Sequence, residues 1–232
     1  MIAAEWCPAP GVRALCTTRS IDLARPMADN RRRLAAELDL PAEPRWLHQV
    51  HGAAVVDLDA DSQPEAVADA AVSRARGTVC AVLTADCLPV LFAASDGSIV
   101  GAAHAGWRGL AGGVIENTVG TLRALAPGAS LQAFLGPAIS AAHFEVGPEV
   151  RDAFLASDAA ATDAFQRGVG DRWSCDLYKL AHQRLAALGI VAISGGGLCT
   201  YAEDSRFFSH RRDVQHRGLD GTGRMAALIW RT

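Results

Sequence analysis

Three apolar runs crowd into residues 78–104, at 78–85, 88–94 and 98–104, with no room for a helix between them. Each reads as a strand, with a turn at Asp96-Gly97 before the third. The first break is the puzzling one. In "TADCLPVLF" (84–92) an acid, Asp86, and a thiol, Cys87, interrupt the run, and Pro89 follows. A charge inside a core-like segment is costly without a partner, and proline in a strand marks an edge, a bulge or a strand end. Here Pro89 is expected to end or bulge the strand.

Outside this block, helices are expected at 27–40, 114–126, 148–156 and 176–190, the last ended by Gly189. Strands are expected at 10–18, 45–59 with a turn at Gly52, 131–139, 191–200 and 224–231. Residues 60–77, rich in Ala, Asp and Ser, read as a loop with a short helix, and "AGWRGLAGG" as a glycine-rich bend. Strands and helices intermingle without strict alternation. The expected fold class is therefore α+β, a mixed α/β single domain over 1–232 with mixed sheets packed against flanking helices, not a Rossmann or TIM architecture.

Half of the 232 residues are hydrophobic, enough for a sizeable core, and the formal charge is only −3. That balance gives no support for a nucleic-acid partner. No basic segment followed by a long apolar block opens the chain, and the longest apolar run is split by Asp86, so neither a secretory leader nor a membrane span is expected. A cytoplasmic protein is the expectation. The six cysteines are scattered with no C-x-x-C pair, which fits free thiols in a reducing compartment. The oligomeric state is not legible.

Several chemistries lack their motifs. There is no Walker loop, no H-E-x-x-H, no G-x-S-x-G and no H-x-E with P-C-x-x-C. Multicopper chemistry needs many histidines; this chain has seven and no H-x-H pair. What remains is three segments, "QVHG" (49–52), "TADC" (84–87) and "HAGWRG" (104–109). Each places a metal-ligating side chain near an expected strand end. His51, Cys87 and His104 would make a two-His, one-Cys set, which suits a catalytic zinc with a fourth position open. Composition alone equally allows His48, whose odd spacing from His51 puts it on the opposite face of a regular strand. Arg108, flanked by glycines and beside Trp107, is either a surface arginine lying on its neighbour or an anion clamp. Without metal, Cys87 with His104 as base would make a nucleophilic hydrolase, for instance on an amide of cell-wall precursors.

"QVHG", "TADCLPVLF", "HAGWRGL", "GPAISAAHFEVG", "CT" at 199–200 and "SHRRD…TGR" together resemble the YfiH/laccase-domain family over about residues 11–231. "TADC" and "HAGWRG" at their seventeen-residue separation are the specific part. This family, once labelled polyphenol oxidase, is described as purine nucleoside phosphorylases with accompanying adenosine deaminase activity. The resemblance implies a mixed α/β fold and a Zn2+ ion on His51, Cys87 and His104, selecting His51 over His48; copper is conceivable under other loading. It implies purine nucleoside (adenosine, inosine, methylthioadenosine) and phosphate as partners, with a copper-loaded polyphenol oxidase as an alternative. Within that reading Cys87, His51, His104 and Arg108 carry catalysis, with Arg108 as the phosphate contact ahead of Arg212 and Arg224. Asp86 is expected to orient a ligand histidine. Two departures stand out: the segment 19–29 is much shorter than in relatives, where it neighbours the active site, and His210 in "FSHRRD" replaces the usual aromatic.

Overall fold

The computed structural model describes residues 2–24, 27–61, 63 and 65–232. Of the short segment 19–29, Arg25 and Pro26 lie outside the described residues, as do Ser62 and Pro64 of 60–77. In chain order the elements are β1 (Ile2–Trp6), β2 (Val12–Thr17), α1 (Met27–Glu37), β3 (Val55–Asp57), β4 (Ala70–Ser73), β5 (Val79–Thr84) and β6 (Leu88–Ala94). They continue with β7 (Val100–Ala105), α2 (Trp107–Ala111), α3 (Val114–Leu125), β8 (Leu131–Leu135), β9 (Glu145–Val146) and α4 (Pro148–Leu155). The chain closes with β10 (Phe165–Arg167), β11 (Trp173–Cys175), α5 (Leu177–Ala187), β12 (Ile193–Gly195), a π-helical turn (Arg211–His216) and β13 (Met225–Arg231).

Two sheets pack face to face between helices. One is antiparallel, in the order β1-β2-β13-β5; the other is mixed, in the order β12-β8-β6-β7-β4-β3. A small third sheet, β10-β11-β9, lies apart. The alternation of side chains along a strand explains why the central runs read as apolar throughout. In β6, Leu88, Val90, Phe92 and Ala94 join the core shared with α3 and α5, whereas Leu91 and Ala93 face the other sheet. In β5, Cys80 and Val82 face the sheet partner, while Val79 and Ala81 pack with Leu34 of α1, Trp46 and Trp230. Strands covered on both faces need apolar residues at every position. Phe92 is fully buried; truncating such a side chain to alanine costs about 3–5 kcal/mol.

This layering also answers the puzzle of "TADC". β5 belongs to one sheet and β6 to the other, so Ala85, Asp86 and Cys87 are where the chain steps between them. Pro89 does not end a strand. It is the second residue of β6, opposite His104, and its carbonyl accepts the Gly136 N–H, a position near a strand start where a missing N–H is tolerated.

The mixed α+β architecture agrees with the sequence-based expectation, as do the three central strands and helices α3, α4 and α5. Other expectations differ. Residues 45–52 form no continuous strand, the expected loop-and-helix segment 60–77 contains β4, and the glycine-rich bend holds the short helix α2. No helix among the described residues is long and apolar enough to cross a membrane.

Candidate metal centre and its cavity

Three separate connections converge on one point. Cys87 sits at the sheet crossover, His104 is the penultimate residue of β7, and His51 lies in the irregular segment before β3. Antiparallel pairing of Leu88 with Ala105 brings Cys87 beside Gly106. The donor atoms of His51, Cys87 and His104 lie within 4.8 Å of one another, and the two imidazoles meet edge to face at 4.8 Å between centroids. His48, the alternative ligand, is exposed and lines the cavity outside this group.

The segment carrying His51 is fastened at both of its flanks. Gln49 closes a two-way amide bond with β5, donating to the Leu83 carbonyl at 2.9 Å and accepting the Leu83 N–H at 2.8 Å. Asp69, fully buried just before β4, accepts the backbone N–H groups of Val50 (3.1 Å), His51 (2.9 Å) and Gly52 (2.7 Å). These bonds hold His51 at φ 60°, a left-handed conformation unusual for a non-glycine residue. The same carboxylate contacts His104 Nδ1 at 2.8 Å. That bond leaves Nε2 as the histidine's nitrogen for a ligand.

The glycines of "HAGWRG" allow the close approach. A Cβ on Gly106 would sit 2.9 Å from Cys87 Sγ and 3.1 Å from His51 Cδ2; one on Gly109 would sit 2.6 Å from the Gly52 carbonyl oxygen. Both glycines therefore serve the convergence of His51 and Cys87.

Electrostatics favour a thiolate. Burial opposes ionisation of Cys87, but the charge and hydrogen bonds of His104 and His51 outweigh it and bring the thiol pKa down to about 6. Burial likewise opposes the His104 imidazolium, yet Cys87 and Asp69 outweigh it and raise that pKa to about 9. At Asp69 burial is again the largest influence and opposes charge; hydrogen bonds from His104, Gly52 and Val50 prevail and hold the carboxyl below its ordinary range. An ionised soft donor, two imidazoles and a carboxylate behind one of them form a set that fits a borderline cation.

These side chains open onto a cavity of about 600 Å³, within the usual range for small-molecule sites. Its lining includes Trp107, Phe144 and His210, and the guanidinium-bearing Arg31, Arg108, Arg211 and Arg224, against the acids Glu65 and Asp86. Arg108 is exposed, its Cζ 4.3 Å from the Trp107 ring centroid. Arg212 is placed differently. It is buried and fully engaged, with Asp213 and with the carbonyls of Thr200, Tyr201 and Phe207, and does not line the cavity.

The expectation that Asp86 orients a histidine of the donor set does not hold; Asp69 is the acid that contacts His104. Asp86, buried and at φ 90°, instead accepts Thr200 Oγ1 (2.6 Å), Ser209 Oγ (3.0 Å) and the backbone N–H of Arg211 (2.7 Å). It ties the sheet crossover to the chain's late segment.

The family model described as multi-copper polyphenol oxidoreductase laccase matches residues 15–232. The chain belongs to this family. This laccase-family chain is 47% identical over 247 residues to the purine nucleoside phosphorylase YfiH of Escherichia coli, covering 99% of the chain and 98% of that relative. A purine nucleoside phosphorylase of Pseudomonas aeruginosa is 45% identical, with 97% and 96% covered. A solved Neisseria meningitidis structure superposes with a TM-score of 0.88 at 40% identity, covering 99% of this chain and 98% of the other. YlmD of Geobacillus stearothermophilus gives 0.81 at 29%, covering 99% and 97%. Among the described residues of this laccase-family member, His51, Cys87 and His104 are the one group of three or more His, Cys, Asp or Glu donors suited to a metal.

Proposed function

We propose that the chain is a purine nucleoside phosphorylase working with zinc at His51, Cys87 and His104. Its substrates in this reading are adenosine, inosine and methylthioadenosine with phosphate, and adenosine deamination is a side activity. The observation that carries the reading is the convergence of a His/Cys/His donor set with several guanidinium groups on one cavity of about 600 Å³. The names of the relatives support the phosphorylase class.

In phosphorolysis a phosphate oxygen bonds to the anomeric carbon as the glycosidic bond to the purine nitrogen breaks. The bonding pair leaves with the base, which then takes up a proton. The chain must hold an anion against the sugar and stabilise the departing base. Arg108, one residue beyond Trp107 at the start of α2, supplies a guanidinium for the phosphate. The rings of Trp107 and Phe144 offer flat apolar surface to a purine. Asp69 keeps His51 and His104 aligned through its four hydrogen bonds. Lewis-acid polarisation of a substrate atom is the chemistry zinc supplies when bound.

A panel of nucleosides incubated with and without phosphate, followed by chromatography of the products, tests this. Phosphate-dependent release of free base together with a sugar phosphate is the expected result. Base release indifferent to phosphate overturns it.

A second reading is favoured by one observation, the lowered pKa of Cys87 beside His104. A thiolate with an adjacent imidazole suits attack on an amide of a cell-wall precursor. Metal analysis separates the two. Near-stoichiometric zinc that disappears in Cys87→Ser supports the phosphorylase. Metal-free protein whose Cys87 is alkylated by a substrate-like electrophile supports the hydrolase. Copper in its place, with phenol oxidation, would favour a polyphenol oxidase.

A further inference from the structure

We infer that Arg211 forms an anion subsite in the cavity, shaped for a phosphate dianion, and that Asp86 sets its position. The inference rests on the phosphorylase reading for the identity of the anion, not for the existence of the subsite.

Arg211 opens the π-helical turn Arg211–His216 and lines the cavity. Its Cζ stands 5.4 Å from the Phe144 ring centroid, so an aromatic ring that also lines the cavity flanks the guanidinium. Of the other cavity arginines, Arg31 pairs with Glu65 at 2.8 Å and Arg224 donates to the carbonyls of Thr222 and Gly223. Arg108, the phosphate contact of the proposed function, lies exposed on Trp107 and adds a second guanidinium for the same anion. Arg212, next in the chain, is saturated by protein acceptors.

Among the described residues no carboxylate forms an ion pair with Arg211. Asp86 is near, but Oδ1 accepts Thr200 and Oδ2 accepts Ser209 and the Arg211 backbone N–H. Burial accordingly lowers the Arg211 pKa from its usual range, and the charges of Asp86 and Glu145 only partly offset this. A partly desolvated cation without an ion-pair partner favours an incoming anion. The planar fork of arginine matches two oxygens of a tetrahedral oxyanion. π-helical turns concentrate at functional positions, and here the turn begins at the residue that faces the cavity.

Asp86 gives the arrangement its geometry. Its carboxylate fixes the start of the Arg211 turn, and Cys87 is the next residue along the chain. Donor thiol and anion-binding guanidinium are thus held to the same crossover.

The test is titration calorimetry of the protein as purified, using orthophosphate and, separately, adenosine 5′-monophosphate, on wild type, Arg211→Gln and Arg211→Lys. The expected outcome is phosphate binding weakened about 10- to 100-fold in Arg211→Gln, the range for losing a charged hydrogen bond or two. Arg211→Lys, which keeps the charge and loses the fork, is expected between the two and guards against a folding defect in the glutamine variant. Arg211-dependent binding of the monophosphate alone also supports an oxyanion subsite, and assigns it to a phosphorylated nucleoside. Binding that neither variant changes overturns the inference, as does a wild type that binds neither ligand. The phosphorylase reading is scored separately: phosphate bound through Arg211 without release of base removes that reading and leaves the subsite. Base release with an unchanged KM for phosphate in both variants does the opposite.

Discussion

Asp69 contacts His104 Nδ1 at 2.8 Å, and the same carboxylate accepts the backbone N–H of His51 at 2.9 Å. One buried acid thus aligns the side chain of one histidine and the backbone of the other, though neither is near it in sequence. The separations are 35 and 18 residues. The same three backbone bonds, to Val50, His51 and Gly52, span the residue that takes the left-handed backbone at φ 60°.

Asp69→Asn keeps the shape but turns one acceptor into a donor that faces N–H groups. Zinc affinity is expected to fall about 10- to 100-fold, the usual effect of removing a carboxylate behind a metal-ligating histidine. Competition with a chromophoric chelator reads this directly, without recourse to turnover. An affinity equal to wild type would remove Asp69 from the metal site.

The Cys87–His104 pair gives a pH signature in chelator-treated protein. Cys87 is depressed to about 6, so its contribution to stability is lost as pH falls through about 6. His104 is raised to about 9, so its contribution is lost as pH rises through about 9. These are two views of one thiolate–imidazolium pair and are not added. The melting-temperature difference between wild type and Cys87→Ser is expected to be largest between those limits and to shrink outside them. Alkylation of Cys87 by iodoacetamide should reach half its plateau near pH 6 in the same protein. A midpoint in the ordinary thiol range would show that the pair is not formed.

The central strands were legible because both of their faces are buried. In 78–94 nearly every position is apolar, and Asp86-Cys87 marks the one place where the chain changes sheet. β4 was not legible: "AAVS" is four small residues within a segment rich in Ala and Asp, and its place between β7 and β3 comes from pairing with distant residues. The choice between His48 and His51 could not be settled by strand faces, since residues 45–52 form no continuous strand; the motif resemblance pointed to His51. The role of Asp69 is not legible for a related reason. Its partners are set by tertiary contact, and its only local signal is an acid immediately before a small-residue strand. Asp86 stands in a similar position near a strand, so sequence position alone does not distinguish it from Asp69, the acid that contacts His104. Arg211 and Arg212 are adjacent, and sequence does not reveal which of the two turns inward to protein carbonyls and which faces the cavity.

Gly106→Ala is expected to disrupt the donor set while sparing the sheets. The added Cβ would stand 2.9 Å from Cys87 Sγ, closer than such contacts occur, and 3.1 Å from His51 Cδ2. Relief requires a donor to move, so bound zinc per chain should fall, while the circular dichroism spectrum stays that of wild type. The cost in stability is expected at about 1–3 kcal/mol, as for an overpacked site. Full zinc content in this variant would mean that Cys87 or His51 has slack that the close contacts at Gly106 do not suggest.

Asp86→Asn separates a structural from a positioning role. Asparagine tolerates a positive φ, so the crossover backbone, at φ 90°, can persist. The carboxylate, however, accepts three donors, from Thr200, Ser209 and the Arg211 backbone, and an amide that itself donates cannot accept all of them. A buried donor left unmatched costs about 1–3 kcal/mol, so the melting temperature should drop. If Asp86 also sets the place of Arg211, the KM for phosphate rises as well, while the KM for nucleoside and the zinc content stay near wild type. A lower melting temperature with an unchanged KM for phosphate would reduce Asp86 to a fastener between the crossover and the late segment. A rise confined to phosphate would tie the acid that interrupts "TADC" to the anion subsite.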